Sequence, residues 1–491
     1  MQNPSKNFIQ NEIEKFLKFE EVFLKEKIII SKFYVWPLIR QGVYELIFSH
    51  KNLSLGTSLD RKKNFDVLKI LTSFLKNVFL FPKDLFSLKG IFKKSEILII
   101  NVSPKRVEID GDYTNSSLWN LTQSLKNYEI SVLNTQSVDL RIKGINKIDI
   151  SYLLKIFTRL SKIFYLVDRQ WKDSEKTFNE QVKKNYNLDL NWKDIYSQIF
   201  KRNQYTSFFV KLIIKFSKPK IIIYTDNGIL NASINVAFNK KIPTVDFQHG
   251  LLSNYYVLYN HNQFIDQEYK NYLSDYYLAW GRFRLSSYNK YYLTRVGGNP
   301  FFDKKMKEYK FINKENKSIL FISDGNTTKK ALQELAFYLN QELDDYKIFY
   351  KLRPEEYQTW KEEYSLLQNI SNRLRVIQDD HKDIYYYFKK CEFVIGTNST
   401  ALIEAIPFSE VLVYKKGWYF ELEDYIAKNL MRDFESKEDF LNFFNSNISE
   451  IEKNKMSKLK SDFSKEIFCE NSEEKINFEI SKIIKTSISD E

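Results

Sequence analysis

The sequence predicts two successive doubly wound α/β domains behind a helical N-terminal extension. Three observations carry that expectation. Short β-branched runs such as "SEILIINVS" (95–103), "KPKIIIY" (218–224) and "KSILFIS" (317–323) have the length and polar boundaries of buried strands. Most of these runs are followed by segments with helical apolar spacing, the alternation that builds parallel βα units. The 491 residues are also more than one ordinary core organises, so the units divide into two sets.

Residues 1–94 read as the extension. "NEIEKFLKFEEVFLKE" has helical spacing, and "KFYVWPLIRQGVYELIF" restarts after Trp36-Pro37. The first α/β set spans 95–310. Its opening strand is followed by a loop, "PKRVEIDGDYTNSS", a helix, "LWNLTQSLKNY", and a second strand, "EISVLN". A long helical insertion fills about 140–217. The alternation resumes with "KPKIIIYTDNG" as strand and turn, "ILNASINVAFNKK" as helix and "IPTVDFQHG" as strand and turn. "YYLAW" (276–280) and "RVGGNP" (295–300) add a further strand and an exit loop. The second set, 311–440, repeats the pattern through "YKIFYKLRP", "LRVIQ", "CEFVIGTNS" and "EVLVYKK", and 441–491 read as C-terminal helices.

Composition narrows the class. Apolar residues at 43% and charged residues at 28%, with only 13 Gly and 9 Pro, exclude a disordered or collagen-like chain. Cys391 and Cys469 are far apart, so neither a disulfide framework nor a zinc site is expected, and a reducing cytosol fits. The first twenty residues are polar and mixed in charge, unlike a secretory signal. No apolar stretch reaches the roughly 20 residues that span a bilayer.

The net charge of +13 asks for an anionic partner: nucleic acid, membrane or phosphorylated substrate. No zinc knuckle, RNP-like motif or helix-turn-helix points to nucleic acid, and a lysine-rich composition accounts for part of the excess. "SYLLKIFTRLSKIFYLV" (151–167) spaces Leu153, Leu154, Phe157, Leu160 and Phe164 as a helix, with Lys155, Arg159 and Lys162 among them. Such a helix lies on an anionic membrane or packs on a core, and the residues leave both readings open.

Ligands of open parallel sheets bind outside the carboxyl ends of the strands, and a cleft between two such domains is the expected site. Four strand-end loops point there. Gln248-His249-Gly250 places an imidazole able to exchange protons near neutral pH beside a residue that turns freely. A surface turn histidine is the plainer reading. In "GTNSTALIE" (396–404) a strand ends at Gly396 and a helix starts at Ser399-Thr400, with Asn398 or Ser399 as N-cap. Free N–H groups and hydroxyls there suit a nucleotide diphosphate, and Glu404, one turn on, suits ribose hydroxyls.

In "YKLRPEE" (350–356) Pro354 stops the strand after Arg353, with Lys351 on the same side. A guanidinium there can hold phosphate bidentately or pair with Glu355 or Glu356. "SDGNTT" (323–328) repeats the anion-cradle pattern with Gly325 and the Thr327-Thr328 pair before a helix, and a turn with a helix cap is the plainer reading. In the first set, Asp110 and Asp112 occupy a flexible loop, where either is a candidate general base for an acceptor hydroxyl. Asp226 is a further strand-end carboxylate or helix cap.

"VWPLIR" (35–40), "IPTVDFQHG" (242–250), "GNPFFD" (298–303), "YKLRP" (350–354) and "GTNSTALIEA" (396–405) together resemble glycosyltransferases of the GT-B fold that build bacterial capsule and surface polysaccharides. The order His-Gly, Lys-x-x-Pro, Ser-Thr is also similar to the polyglycerol-phosphate transferases of teichoic acid synthesis. The resemblance implies His249 as base or phosphate contact. It further implies Lys351, Arg353, Ser399 and Thr400 at the donor diphosphate and Glu404 at the ribose. Related enzymes usually carry His-Pro where this chain has Arg353-Pro354, and arginine cannot donate a proton near neutral pH. Asp110-Gly111-Asp112 also resembles the Asp-x-Asp of metal-dependent glycosyltransferases, but the two-domain alternation fits the metal-independent class, so no metal or other cofactor is expected.

The implied function is transfer of a sugar from a nucleotide-sugar donor to a growing glycan, on capsule or lipopolysaccharide O-chain. The acceptor is free or lipid-linked, and the place is the cytoplasm at the inner face of the membrane. A polyol-phosphate transferase, a sugar-nucleotide epimerase and a non-catalytic assembly scaffold remain alternatives.

Overall fold

The computed structural model describes residues 6–50, 67–103, 107–225, 231–251, 253, 255, 257–287, 290–324, 328–368, 373–378, 382–445 and 450–489. Two compact units emerge. One gathers Glu12–His249, Tyr256–Phe301 and Cys469–Glu491; the other gathers Phe302–Phe468, Gly250–Tyr255 and the first eleven residues. They are called the N-terminal and C-terminal domains below.

The extension begins with α1 (Lys6–Glu26), a two-residue hairpin β1 (Ile29–Ile30) and β2 (Phe33–Tyr34), and α2 (Val35–His50). Ser31 and Lys32 take positive φ of 50° and 70° at the hairpin turn, the conformation that a tight turn between right-twisted strands requires. Helix α3 (Val67–Ser87) then leads into the first sheet. Its elements are β3 (Ile97–Asn101), the hairpin β4 (Val107–Ile109) and β5 (Asp112–Thr114), α4 (Ser116–Ser124), β6 (Ile130–Asn134) and β7 (Asn146–Asp149). Next come α5 (Ser151–Phe164), α6 (Arg169–Tyr186) and α7 (Trp192–Asp194), which passes through a π-helical stretch, Ile195–Lys201, into α8 (Arg202–Ser217). The domain continues with β8 (Ile221–Tyr224), α9 (Asn231–Phe238), β9 (Thr244–Phe247), α10 (Gln267–Lys270), β10 (Tyr276–Ala279) and β11 (Leu293–Val296).

The seven main strands are all parallel, in the order β11-β10-β9-β8-β3-β6-β7. Every residue of β3, β6, β8 and β9 is buried, as expected of central strands covered on both faces.

Helix α11 (Pro300–Glu308) opens the C-terminal domain. It contains β12 (Glu315–Ile322), α12 (Lys329–Glu342), β13 (Lys347–Lys351), α13 (Trp360–Glu363), β14 (Leu374–Ile377), α14 (Ile384–Lys390), β15 (Cys391–Gly396), α15 (Thr400–Ala405) and β16 (Glu410–Tyr414). It closes with α16 (Glu423–Ala427), β17 (Arg432–Phe434), α17 (Lys437–Asn445) and α18 (Glu450–Ile467). Its six parallel strands run β14-β13-β12-β15-β16-β17. Numbered within their own domains, the C-terminal sheet follows 3-2-1-4-5-6, the order of a dinucleotide-binding fold, and the N-terminal sheet follows the same order with a seventh strand added at the edge, so each reverses between its first and fourth strands. The expected class, two Rossmann-type doubly wound α/β domains with a helical N-terminal extension, is the observed one.

Three expectations need correction. The stretch 104–117 is not a loop: its described part is an antiparallel hairpin, turned by Asp110 and Gly111 at φ 55° and 77°. An Asp-Gly pair is the strongest short-range signal for that turn. The helical insertion of 140–217 begins with β7, a polar edge strand, and α8 lies in the domain's own helical layer. The second sheet gains a sixth strand, β17, also at an edge. Asp226 lies outside the described residues. No helix among the described residues is long and apolar enough to cross a membrane.

Helix α19 (Ser472–Ser489) returns to the N-terminal domain and packs on α4 and β11. Gly298, at φ 95°, admits it: a Cβ there would lie 2.2 Å from Ser472 Oγ and 2.8 Å from Cys469 Sγ. On another side of the domain, Asp84 of α3 holds the first turn of α5, accepting from Tyr152 N–H (2.7 Å) and Leu153 N–H (2.9 Å). Burial raises its carboxyl to about 6, and those two N–H bonds only partly oppose the rise.

Two outcomes test these contacts. Gly298→Ala is expected to lower the urea midpoint more than Gly111→Ala. Both carry a left-handed backbone cost of about 1–2 kcal/mol, but only Gly298 adds a clash, since nothing lies within 4 Å of a Cβ at Gly111. For Asp84 the folded pKa stands above the unfolded one. Its contribution is therefore present below about pH 4 and is lost as pH rises through about 6. Asp84→Asn, which keeps an acceptor oxygen, is expected to remove that decline from a pH series of unfolding free energies.

Candidate functional site

In the C-terminal sheet the reversal lies between β12 and β15, and polar side chains collect at the carboxyl ends of those strands. Asp324 Oδ2 accepts from the hydroxyls of Thr328 and Thr397, which are themselves 2.9 Å apart. Asp324 Oδ1 is buried and has no hydrogen-bond partner among the described residues. Gly325 and Thr327, expected to cradle an anion here, lie outside the described residues.

Next to this cluster, Pro354 ends the sheet pairing of β13, and a short 3₁₀ turn, Pro354–Glu356, follows. The buried Glu356 carboxylate accepts from Arg353 N–H (2.8 Å), from Ser323 Oγ (2.9 Å) and from the Tyr364 hydroxyl. Burial first, and then the Glu356 carboxylate, push the Tyr364 hydroxyl well above its ordinary pKa, so it stays a donor. Glu356 thus fixes the Arg353 backbone rather than neutralising its side chain. The exposed guanidinium donates from Nε to Ser323 O (3.2 Å), which leaves both Nη groups unbonded among the described residues.

Lys351 goes the other way. Its ammonium donates to Gln378 O (2.7 Å) at the end of β14 and to the Tyr357 hydroxyl (2.9 Å). The structure therefore separates the two cations that spacing placed on one side: Arg353 leans to the reversal point and Lys351 away from it.

Along the loop after β15, Ser399 is the N-cap of α15, and its hydroxyl accepts from Ala401 N–H (3.3 Å). Asn398 Nδ2 donates to Glu421 Oε2 (2.7 Å), and Thr400 Oγ1 accepts from Leu251 N–H (3.2 Å). Glu404 accepts from the buried Tyr385 hydroxyl; burial and that carboxylate both raise the Tyr385 pKa well above its ordinary value. The helix is only six residues long, so its end dipole is small.

In the N-terminal domain His249 is half-buried, two residues beyond β9. Gln248 anchors that end: its N–H donates to Leu278 O (3.0 Å), and its side-chain oxygen accepts from Trp280 N–H (2.8 Å). The chain that follows is clamped on its return. Arg40 of α2 donates to Val257 O (2.7 Å) and Asn260 O (2.8 Å), and its remaining N–H groups meet Glu20 of α1 at 2.5 and 3.1 Å. Trp36 Nε1 adds a 3.2 Å bond to the same carboxylate, which is fully buried. Burial opposes the Arg40 charge, and Glu20 beside it more than restores it. Tyr259 donates to Asp246 Oδ2 (2.7 Å) within the same frame.

The two candidate bases of the hairpin differ. Asp110 is exposed at the turn, whereas Asp112 is buried and accepts from Lys143 N–H (3.2 Å). A chain of buried amides supports the hairpin's exit. Asn115 donates to Asn101 (2.9 Å), Asn101 to Asn134 (3.1 Å) and Asn134 to Asp149 (2.8 Å), across the ends of β3, β6 and β7.

Sequence reasoning did not assign Asp324, Thr397, Glu356 or Tyr364 to the site, nor a role to Arg40 and Glu20. Asp324 was legible in principle as a carboxylate directly after a strand. Glu20, inside an amphipathic helix and followed by a second glutamate, carried no such signal.

Arg40→Met leaves the Glu20 carboxylate buried and unpaired, and is expected to cost about 3–5 kcal/mol in urea unfolding. Glu20→Gln combined with Arg40→Met is expected to recover the share owed to the buried charge, leaving the smaller cost of two unanswered carbonyls.

No family model and no curated protein matches the sequence. Among solved structures the chain is similar to S. aureus MnaA in its UDP co-structure, at 15% identity over 80% of this chain and 97% of that one, with a TM-score of 0.48. It is similar to the UDP-GlcNAc 2-epimerase of Neisseria meningitidis bound to UDP-GlcNAc (12% identity, 79% and 99% covered, TM-score 0.46). It is also similar to Anabaena HepE in complex with UDP-glucose, at 13% identity, 80% and 100% coverage and a TM-score of 0.43.

Proposed function

We propose that the protein is a glycosyltransferase that moves a sugar from a nucleotide-activated donor to a growing surface-polysaccharide acceptor. The observation that carries this reading is the reach of Arg353, just past β13, to Ser323 at the end of β12 beside the reversal point, with its backbone fixed by Glu356 and its side chain exposed. That is where doubly wound sheets bind nucleotides, and a guanidinium suits a diphosphate bidentately. Asn398 and Thr400 supply further polar groups at the end of β15, on the other side of β12.

In the proposed reaction an acceptor hydroxyl attacks the anomeric carbon as the bond from that carbon to the donor phosphate breaks. His249 takes the hydroxyl proton, with Asp110 and Asp112 as the competing candidates. Arg353 offsets the charge that grows on the departing nucleoside diphosphate. Lys351 is held by Gln378 and Tyr357, so in this reading it orients the end of β13 and does not touch phosphate. Ser399 acts as a cap, and Glu404, which accepts from Tyr385, keeps acceptor sites for a ribose hydroxyl.

Thermal unfolding with UDP, GDP, CDP, CMP and dTDP tests the donor site. One nucleotide at about a hundredfold excess over its Kd should add about 2.7 kcal/mol of stability. Arg353→Ala should abolish that gain without moving the unliganded midpoint, because the side chain is exposed. No gain with any nucleotide sinks the reading. With a nucleotide sugar, turnover that needs no acceptor and returns an isomerised nucleotide sugar replaces it with an epimerase. Release of a nucleoside monophosphate with phosphate in the product replaces it with a polyol-phosphate transferase.

A further inference from the structure

Helices α3, α5 and α8 form one layer over the N-terminal sheet, where Phe81, Leu154, Phe157, Val210 and Ile213 join a single core cluster. Asp84 near the end of α3 meets the start of α5, so these two helices run antiparallel. Each keeps a narrow inward stripe: Asn77 and Asp84 on α3, and Leu154, Thr158 and Ser161 on α5. Helical periodicity places Phe79 and Phe86 on the opposite side of α3 and Ile163 on the opposite side of α5, and Val167 lies in the turn that follows α5. The exposures agree: Phe79 85%, Phe86 75%, Ile163 66% and Val167 72%. Phe164 and Leu166 are exposed beside them. Single exposed apolar residues are ordinary, but aligned aromatic and aliphatic residues on the outside of one helical layer are not.

Charge identifies what covers them. The sequences of α3, α5, α8 and the 3₁₀ turn Leu88–Phe92 contain one acidic residue, Asp84, and it is buried under the layer. Their basic residues crowd one another. Burial first, and then the nearby charges of Arg202, Arg159 and Lys76, lower the pKa of Lys155. Lys162 is paired with Asp194 at 2.6 Å. A second copy meeting this face would set like charge against like charge, whereas an anionic surface answers both the apolar stripe and its basic flank. Neither helix is apolar enough to span a bilayer, so the fit is to helices lying in the interfacial plane.

We propose that the outer face of α3 and α5 docks the protein on a bilayer containing anionic phospholipid, with Phe79, Phe86, Ile163 and Val167 entering the headgroup boundary and the neighbouring Lys and Arg side chains meeting phosphate. The inference does not depend on the transferase reading, and its test reads no activity.

The experiment is vesicle flotation of the full chain. Three vesicle-binding conditions are compared: pure phosphatidylcholine, three parts phosphatidylcholine to one part phosphatidylglycerol, and the mixed vesicles in half-molar salt. Partition to the mixed vesicles is expected to exceed that to pure phosphatidylcholine by about tenfold or more and to fall with salt. The combined variant Phe79→Ser, Phe86→Ser, Ile163→Ser, Val167→Ser should keep the native melting midpoint and lose about tenfold or more in partition. Lys76→Gln with Lys83→Gln should reduce the preference for anionic vesicles. Wild-type protein that stays with solvent in both vesicle types overturns the proposal, as does a folded serine variant that floats like wild type. A wild-type dimer that the serine variant converts to monomer, with vesicle partition unchanged, assigns the face to a second copy and overturns it too.

Discussion

The return of the chain after the His249 loop depends on one buried ion pair. Glu20 and Arg40 lie on the two helices of the extension, far in sequence from β9, yet Arg40 holds the carbonyls of Val257 and Asn260. A guanidinium suits the place because its planar fork serves a carboxylate and two carbonyls together, which an ammonium cannot do with fixed directions. The pair is a poor source of net stability, since both charges were taken out of water to make it. Its effect is directional: it sets where the chain re-enters the domain after the loop that begins at His249. The helical extension is therefore part of the N-terminal domain's working frame.

The C-terminal domain positions Arg353 through hydrogen bonds to a buried carboxylate. Glu356 orients Arg353 through the backbone, and Ser323 and Tyr364 orient Glu356. A carboxylate that bonded the guanidinium directly would cancel the charge a donor phosphate requires. By taking the N–H, Glu356 fixes the residue and leaves its charge outward. The contrast with Lys351, satisfied by Gln378 and Tyr357, shows why residues two apart on one strand face need not share a ligand.

The fold was legible wherever burial writes itself into composition. Strands β3, β8, β12 and β15 are apolar because both sheet faces are covered, and they stand out from single residues upward. The main-sheet strands that escaped notice, β7, β11 (whose end was read as an exit loop) and β17, are edge strands, whose sequences suit solvent and carry no apolar run. The hairpin at 107–114 escaped because its strands are three residues long, although Asp110-Gly111 announced the turn. Site residues divide in the same way. Arg353 could be placed at a strand end because Pro354 marks that end, while Glu404's bond to Tyr385 and the divergence of Lys351 from Arg353 depend on neighbours distant in sequence. Spacing supplies which residues reach the end of a strand, but not which partner each one finds there.

The return of α19 to the N-terminal domain has a consequence for biosynthesis. That domain is discontinuous: its sheet is complete by β11, but the helix that covers β11 and fits against Gly298 follows the whole segment 302–468. A ribosome adding about 5–20 residues per second delivers α19 some tens of seconds or less after β11. Through that interval the flank beside Gly298 and Leu278 faces solvent, while the C-terminal domain emerges and folds. The nascent chain thus exposes a surface that the finished molecule hides, and the order of synthesis delivers the whole of 302–468 before the first domain can close.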